Sequence, residues 1–470
     1  MTGAFAGERA VVIGYGISGR AAAAALLDHG AEVLVSEAKS LAELISEGEG
    51  TDPSDAGGVE VRTGGHRPED LDGATLVVVS PGVPEAAPVI EWARDRRLPV
   101  WSELEVGARL CRVPYVAVTG TNGKTTTVEL LASMMRAGGM DAAACGNVGF
   151  PFSAAVGGDF DALAVEASSF QLRFSERLHP RVSVLLNLAP DHLDWHPSFE
   201  AYAEAKAHVY ACQGPGDVHV GNRDDAEAAK RSREAPCEVH WFGSGRPAGA
   251  GAGVVDGRVV ARTGAGDVDM GLPADGDSPA LLLDAAAATA AGIAFGLPAS
   301  AVRSTLAEFS RLPHRGGLVA EVGSVKFLDD SKATNPHAVL AALEGLSDVV
   351  LIAGGLAKGV DLSPLAAGAS SISSVVAIGE AAPGVVAAFQ GLRPVRRAGS
   401  IEEAVRVAFA QAVPRGTVLL APACASQDMF RDYRERGDRF AAAARMLVGT
   451  PGDASRGSED SRMGQGGADA

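Results

Sequence analysis

The stretch Tyr115–Thr126, Y-V-A-V-T-G-T-N-G-K-T-T, decides the fold of this chain. Its first four residues are apolar and rich in β-branched side chains, which predicts a buried parallel strand. A glycine loop follows, and then the helix-forming run Glu129–Met135. A strand, a glycine loop, Lys-Thr and a helix in this order make a P-loop, in which backbone N–H groups and a lysine surround phosphate groups.

This P-loop departs from the usual pattern at one position. The pattern G-x-x-x-x-G-K-[ST] has its first glycine where this chain has Val118. An ordinary glycine-rich turn with a surface lysine is therefore the alternative interpretation. We favour ATP binding, with Lys124 on the β- and γ-phosphates and the Thr125 hydroxyl on Mg²⁺. The predicted ATP-binding residues of this loop are Gly120, Thr121, Asn122, Gly123, Lys124, Thr125 and Thr126.

The N-terminal part of the chain carries a second glycine loop. The strand Ala10–Ile13 leads into Gly14–Gly19, G-Y-G-I-S-G, and a later strand leads to Glu37. This is the dinucleotide-binding fingerprint, which by itself favours a nicotinamide cofactor, although any nucleotide diphosphate satisfies it. The turn Ser80–Gly82 follows another apolar strand, and we expect it at the same carboxyl edge of a Rossmann-like sheet.

Two further strands of the central part end in polar residues. Ala162–Val165 ends on Glu166, and Val182–Leu188 runs toward His192. Carboxyl ends of parallel strands share one edge, so we expect both side chains near Lys124. A carboxylate there is a typical Mg²⁺ ligand, whereas a surface residue is the alternative for each. The default interpretation of Lys206, on the predicted helix Ala201–Tyr210, is a solvated lysine.

The remaining histidines and segments receive plainer interpretations. We interpret His29, His66, His179 and His196 as structural or surface histidines. We expect a loose connector at Gly48–Gly58, a loop at Ala248–Gly253 and a buried alanine-rich helix at Pro279–Gly296.

The predicted fold class is α/β with three domains. We expect a Rossmann-like domain at 1–108, a central P-loop parallel sheet at 109–311 and a C-terminal Rossmann-like parallel sheet at 312–450. Residues 451–470 are too polar and glycine-rich to form a core, and we expect them to be disordered.

Composition limits the function classes. The chain has 470 residues, 47% of them hydrophobic, and a formal net charge of −17, which disfavours nucleic acid as a partner. Its five scattered cysteines have no metal-binding or disulfide spacing and indicate a reducing compartment. Neither a signal peptide nor a membrane span is evident, so we expect a cytoplasmic protein.

Seven motifs together resemble the Mur ligase family of peptidoglycan synthesis, over nearly the whole chain up to about Val448. They are V-T-G-T-N-G-K-T-T, E-A-S-S-F-Q-L, N-L-A-P-D-H-L-D, A-Y-A-E-A-K, L-P-H-R, D-D-S-K-A-T-N-P and A-P-A-C-A-S-Q-D. The resemblance implies a ligase that joins glutamate, in its D form, to UDP-N-acetylmuramoyl-L-alanine. It also implies ATP as co-substrate, Mg²⁺ at two sites and an acyl-phosphate intermediate. We expect the protein to be a monomer.

The resemblance assigns roles to individual residues. It implies UDP-sugar contacts at Gly14, Gly16, Ser18, Gly19, Glu37, Ser80, Gly82, Asn147 and Ser168. It implies ATP contacts at His314, Arg315 and Asp330, besides those of the P-loop. It implies metal ligands at Thr125, Glu166, His192 and Lys206, the last as a carbamate, and catalytic roles for Lys124, His192, Lys206 and Lys332. It implies glutamate contacts at Thr334, Lys358, Ser426 and Tyr433.

One segment departs from the family pattern, and other function classes stay open at this stage. Many members carry H-N-x-x-N where this chain has Ala280–Asp284, so that only Asp284 is left to contact the nucleotide. The alternatives are another ATP-dependent amino-acid ligase of the superfamily, including one acting on folate, a nucleotide-binding regulatory protein on a degenerate ligase fold, and a nicotinamide dehydrogenase.

Overall fold

A computed structural model describes residues 3–46, 59–276 and 278–448. The expected connector Gly48–Gly58 and the expected tail 451–470 lie outside these residues. The described chain is an α/β protein with three sheets dominated by parallel strands, which confirms the predicted fold class. One compact unit holds the described residues up to Leu312 together with Lys358–Val360, and a second holds the rest.

The first sheet has five strands, all parallel, in the order β3-β2-β1-β4-β5. Its most apolar strands, β1 and β4, lie at the centre because their side chains are buried on both faces. The elements are β1 Arg9–Ile13, α1 Ile17–Asp28, β2 Glu32–Ser36, α2 Leu41–Ser46, β3 Glu60–Arg62, β4 Leu76–Val79, α3 Pro88–Asp95 and β5 Val100–Ser102. The helix α4, Glu103–Leu110, leads from this sheet to the next.

The second sheet has nine strands in the order β14-β13-β12-β11-β10-β9-β6-β8-β7. The predicted P-loop strand, β6, lies between β9 and β8, whose carboxyl ends carry the predicted polar residues. The elements are β6 Tyr115–Thr119, α5 Lys124–Ala137, β7 Ala142–Gly146, α6 Phe152–Ala155, β8 Ala162–Glu166, α7 Ser169–Arg173, β9 Val182–Leu185, α8 Phe199–Ala207, β10 Val218–Asn222, α9 Ala226–Ser232, β11 Glu238–Ser244, β12 Gly251–Val255, β13 Arg258–Thr263, β14 Gly266–Gly271, α10 Pro279–Phe295 and α11 Ala299–Glu308.

This second sheet corrects two expectations. It is not wholly parallel, because β12, β13 and β14 form antiparallel hairpins at its edge. The expected loop Ala248–Gly253 was wrong at its end, since Gly251 begins β12. A Cβ at Gly251 would stand 1.9 Å from the Trp241 carbonyl oxygen, so glycine permits a close approach of two backbones here. The low sequence complexity of Ala248–Gly253 therefore arises partly from close strand packing at its end and not only from a loop.

The predicted alanine-rich helix is confirmed as α10. Its alanines Ala285–Ala288 are fully buried, and the helix packs on α5 and the second sheet. Small side chains let the helix axes approach closely while keeping helix propensity high. The helix therefore braces the element that follows the P-loop.

The third sheet has six strands in the order β15-β16-β20-β17-β18-β19. All neighbours are parallel except β15 and β16, which form a hairpin at one edge. The elements are β15 Gly317–Val322, β16 Ser324–Asp329, α12 Pro336–Leu343, β17 Val349–Gly354, β18 Ile372–Ile378, α13 Ala382–Ala388, β19 Val395–Arg397, α14 Ile401–Ala412, β20 Arg415–Leu420 and α15 Tyr433–Val448.

Within the part of the chain that the structure describes, no helix combines the length and apolar content needed to cross a membrane.

A buried histidine lies in the second sheet. His219 on β10 is fully buried, with Nδ1 2.7 Å from Ser183 Oγ and Nε2 2.9 Å from Ser232 Oγ. Ser183 donates its only proton to Gln213, so it must accept from His219 Nδ1. Burial lowers the pKa of His219 to about 3, and the ring is neutral at neutral pH.

This histidine makes folding stability sensitive to acid. An unfolded histidine has a pKa near ~6.5, so below that pH the unfolded chain binds a proton that folded His219 excludes. Stability from this residue is complete above ~6.5 and falls as pH drops toward the folded pKa, by about 2 kcal/mol at pH 5. Denaturant unfolding at pH 7.5 and 5.0 should show a loss that is about 2 kcal/mol larger in the wild type than in His219→Gln, because other histidines with a lowered pKa, such as His196, contribute equally to both proteins. An equal loss in both proteins would contradict the prediction.

Candidate active site

The P-loop is shaped by two glycines. Gly123 has φ +86° and caps the N-terminus of α5, and a Cβ there would stand 2.2 Å from Asp284 Oδ1. A Cβ at Gly120 would stand 2.8 Å from Leu186 Cβ. Val118, at the position of the usual first glycine, lies inside β6 and is fully buried. The loop thus begins only after the strand has ended.

Two lysines meet at one backbone carbonyl of this loop. Lys124 Nζ donates to the Gly120 oxygen at 2.9 Å and to the Thr121 oxygen at 2.8 Å. Lys206 Nζ donates to the same Gly120 oxygen at 2.7 Å. The two lysine side chains therefore place two basic nitrogens at the carboxyl end of β6.

The expectation that Lys206 is a solvated lysine was wrong. Its residue is 2% exposed, because α8 turns this side chain toward the P-loop and beside the ring of Tyr202. Burial, followed by the charge of Lys124, lowers the pKa of Lys206 well below its ordinary value. Sequence periodicity missed this because α8 has little separation of polar and apolar faces.

A hydroxyl and a carboxylate face each other beside the lysines. Thr125 Oγ1 donates to Glu166 Oε2 at 2.7 Å, and Asn147 Nδ2 donates to Glu166 Oε1 at 3.1 Å. Glu166 is buried at the end of β8. Among the described residues no group of three or more His, Cys, Asp or Glu side chains could hold a metal by itself. A threonine hydroxyl and a single carboxylate nevertheless fit Mg²⁺, which keeps several waters and takes few protein ligands.

His192 lies near this cluster without bonding to Glu166. Its backbone is left-handed, with φ +53°, and its ring packs against Phe170 with centroids 4.7 Å apart. The side chain is 46% exposed and lies within electrostatic reach of Lys124 and Lys206. Its predicted metal-binding role stays a prediction.

The N-terminal glycine loop folds onto the turn after β4. Gly14 has φ +94°, and Ser80 Oγ donates to its carbonyl oxygen at 3.3 Å. Gly16 caps α1, and a Cβ there would meet nothing within 4 Å, which leaves room for a ligand at the helix N-terminus. Glu37 is buried, and its two carboxylate oxygens accept from the backbone N–H groups of Tyr15 and Lys39.

The other residues that we predict to contact the UDP-sugar differ in how deeply they are buried. Gly19 approaches Gly14 closely, Ser18 is half-buried and Gly82 lies in an exposed turn. Ser168 is buried and caps α7 through a reciprocal bond with Gln171. These placements leave their substrate contacts as predictions.

In the second unit, a histidine and an aspartate bond at the start of the third sheet. His314 has φ +63°, and its Nδ1 lies 2.7 Å from Oδ2 of Asp329, which is buried. Lys332 follows, with Nζ 4.1 Å from the ring centroid of Tyr433. The neighbouring Asp330, predicted to bind ribose, bonds through its backbone N–H to Leu420.

Sequence reasoning missed Arg436, which is fully buried in α15. Its guanidinium donates to the Ser331 side chain and carbonyl and to the carbonyls of Cys424 and Ala425. It therefore ties the loop after β16 to the loop after β20. The only signal in the sequence was a charged residue on the buried face of a helix, which periodicity does not distinguish from a solvated arginine.

The structure gives the burial and backbone contacts of the other predicted residues in the C-terminal part of the chain, and their ligand contacts stay predictions. Thr334 and Arg315 are half-buried. Ser426 is buried, and its backbone carbonyl oxygen accepts hydrogen bonds from the N–H groups of Met429 and Phe430. Lys358 is exposed, has φ +47° and belongs to the first compact unit.

These features define a class of α/β protein that has three sheets, a P-loop for a nucleotide phosphate and a second glycine loop suited to a diphosphate. Three family models match it: the Mur ligase MurD-like N-terminal domain at residues 8–102, the Mur ligase middle domain at 118–262, and the Mur ligase glutamate ligase domain at 314–424.

Curated relatives and a solved structure agree. The chain is 42% identical to a UDP-N-acetylmuramoylalanine–D-glutamate ligase of Frankia casuarinae, covering 95% of each chain. It is 41% identical to the protein of that name from Salinibacter ruber, covering 94% of this chain and 98% of that one. The fold resembles the MurF ligase of Thermotoga maritima in complex with ADP, with TM-score 0.59 and 17% identity, covering 94% and 96%. The chain belongs to the Mur ligase family, and it is an ATP-dependent ligase of peptidoglycan precursor synthesis.

The glycine at the N-terminus of α5 provides a test of the P-loop. Gly123→Ala should weaken ATP binding at least about tenfold, because alanine adds a left-handed backbone cost of roughly 1–2 kcal/mol and a collision with Asp284. Gly139→Ala is the matched control, since Gly139 has φ +87° and open space around its Cβ position. Titration calorimetry with ATP measures both, and equal affinities for the two variants would contradict the assignment.

Proposed function

We propose that this chain joins D-glutamate to the alanine carboxylate of UDP-N-acetylmuramoyl-L-alanine, with conversion of ATP to ADP and phosphate. The observation that carries the proposal is the pair of lysines at the Gly120 carbonyl beside the Thr125–Glu166 pair, in a chain 42% identical to an enzyme of that name. The match of residues 314–424 to a glutamate ligase domain supports the amino-acid side.

The chemistry explains why cations converge at this point. A carboxylate is a poor electrophile, so its oxygen first takes the terminal phosphoryl group of ATP and becomes an acyl phosphate. The neutral amine of glutamate then attacks the carbonyl carbon, phosphate leaves with its bonding electrons, and the nitrogen loses a proton. Several anions have to approach one another, which fixed positive charges favour.

We assign the central residues as follows. Lys124 neutralises the phosphate groups, and Thr125 and Glu166 hold Mg²⁺, which when bound supplies further neutralisation of the phosphates. His192, which the family resemblance suggests, is the second candidate ligand. Lys332, in the C-terminal part of the chain, keeps the catalytic role that the family resemblance suggests.

We propose that Lys206 carries a carbamate. Its amine attacks CO₂ to give a carbamate and one proton, which requires the neutral amine. Burial, and then the charge of Lys124, lowers the pKa of Lys206 and favours that neutral form. The product would place a carboxylate-like group next to Lys124, converting two like charges into an ion pair. Such an anion also suits a second Mg²⁺.

The remaining site residues keep the roles that the family resemblance suggested. For ATP these are His314, Arg315 and Asp330, with the P-loop. For glutamate they are Thr334, Lys358, Ser426 and Tyr433. For the UDP-sugar they are Gly14, Gly16, Ser18, Gly19, Glu37, Ser80, Gly82, Asn147 and Ser168. We also propose domains at 1–108, 109–311 and 312–450, and a cytoplasmic monomer that does not use nucleic acid.

Carbamylation has a direct spectroscopic test. Protein equilibrated with ¹³C-bicarbonate should show a carbamate carbon signal that Lys206→Met lacks and Lys230→Met keeps, since Lys230 is an exposed lysine on α9. Ligase activity should fall about 10²-fold or more in Lys206→Met, as expected when a preorganised charged group is lost. A signal that persists in Lys206→Met would remove the carbamate from this residue.

The reaction itself is tested by phosphate release. The full chain with UDP-N-acetylmuramoyl-L-alanine, ATP, Mg²⁺ and D-glutamate should release phosphate, whereas L-glutamate, L-lysine and a folate substrate should give background rates. Lys124→Ala should lower the rate about 10²-fold. No release with D-glutamate would reject the proposal, and release only with another amino acid would redirect it within the family.

A further inference from the structure

Two loops lie side by side at the carboxyl edge of the first sheet. β2 ends at Ser36 and β3 ends at Arg62. Beyond these ends, Glu37 N–H donates to the Arg62 carbonyl at 2.8 Å, Gly64 N–H to Lys39 at 2.8 Å, and Gly65 N–H to Glu37 at 3.2 Å. This pairing brings the next side chain, His66, beside Ser36.

Hydrogen bonds fix the tautomer of His66. Ser36 Oγ donates its only proton to Asp70 Oδ2 at 2.7 Å, and it lies 2.9 Å from His66 Nδ1. The serine must therefore accept from Nδ1–H. Burial lowers the pKa of His66, with the charges of Glu37 and Asp70 opposing it, so the ring is neutral at neutral pH. A neutral ring protonated on Nδ1 has a lone pair on Nε2.

Asp70, which accepts the Ser36 proton, is fixed by further hydrogen bonds. Asp70 is 2% exposed and accepts from Ser36, from the Arg67 N–H at 3.0 Å and from Arg62 at 3.1 Å. Burial acts to raise the pKa of Asp70, but these hydrogen bonds outweigh it and the pKa lies below its ordinary value. Asp70 is thus an anion that accepts only, which keeps the Ser36 proton directed toward it.

The lone pair of His66 Nε2 is available to a ligand. Among the described residues it has no hydrogen-bond partner, and it is open to solvent. Glu37, which the glycine-loop fingerprint assigns to the ribose or base, has both oxygens committed to the N–H groups of Tyr15 and Lys39. The first of these bonds ties the glycine loop to the edge that carries His66. A nucleotide whose diphosphate lies at the N-terminus of α1 extends its base end toward this edge.

We propose that His66 reads the base of the nucleotide by accepting a hydrogen bond from N3–H of uracil through Nε2. This inference rests on the proposed UDP-linked substrate. Uracil has a proton on N3, whereas cytosine has a lone pair there that would face the lone pair of Nε2. Because a site built to bond one group leaves its polar atoms unpaired with the wrong one, His66 selects uridine over cytidine nucleotides.

The test compares UDP with CDP on the full chain by titration calorimetry at pH 7.5. His66→Asn keeps an N–H donor near the Nδ1 position and removes the Nε2 acceptor, whereas His66→Gln places an amide oxygen near Nε2. We expect the wild type to prefer UDP, His66→Asn to lower that preference about tenfold, and His66→Gln to retain part of it. His29→Asn, at the residue that caps the C-terminus of α1 with its ring bonded to the Ala25 carbonyl oxygen, should keep the full preference.

The outcomes separate this inference from the proposed function. A wild type without preference for UDP, or a preference unchanged in His66→Asn, overturns the inference even if phosphate is released with D-glutamate. A preference that depends on His66 supports it even if the phosphate-release assay fails. Unchanged ATP affinity in His66→Asn would show that the variant is folded, and loss of affinity for ATP together with UDP would count against a role confined to the base.

Discussion

The convergence of the Lys124 and Lys206 side-chain nitrogens on the Gly120 carbonyl is the interaction on which the central site depends. Burying the Lys206 ammonium costs free energy, and the neighbouring Lys124 adds repulsion. The unfavourable charge is relieved when anions arrive. In a chain of net charge −17, the ammonium group of Lys124 supplies local positive charge that favours anionic substrates against the sign of the whole molecule.

The neighbouring elements of the second sheet fix the positions of the Gly120 carbonyl and the two lysines. β6 sets the carbonyl at the edge of the sheet, α8 carries one lysine in from the side, and α10 packs on α5 and brings Asp284 against Gly123. Glycine suits that position because the backbone is left-handed, with φ +86°, and because a Cβ would force the Asp284 carboxylate to move. The nucleotide loop is therefore set by packing as much as by its own sequence.

The sequence predicted what depends on local pattern. The P-loop, the placement of Glu166 at a strand end and the alanine-rich helix follow from apolar runs, glycines and strand direction. The sequence did not predict which side chains are buried or which distant residues they contact. The burial of Lys206, the commitment of Glu37 to backbone N–H groups, and the clamp made by Arg436 depend on partners 22 to 105 residues away along the chain. The hairpins of β12–β14 were also missed, because glycine-rich strands look like loops.

Backbone strain marks several of the predicted site residues. His192, His314 and Lys358 have left-handed backbones although none of them is glycine. Such conformations cost about 1–3 kcal/mol each and persist where surrounding contacts impose them, often at ligand-binding positions. At His314, the hydrogen bond between the ring and the buried Asp329 carboxylate offsets the free-energy cost of the left-handed backbone.

Arg436 has a consequence for motion. Its single guanidinium grips oxygens on two loops that come from strands far apart in sequence, so neither loop can rearrange alone without leaving a buried cation unsatisfied. The two loops should consequently exchange their amide hydrogens with solvent as one cooperative unit, and a lysine in place of this arginine could not span both.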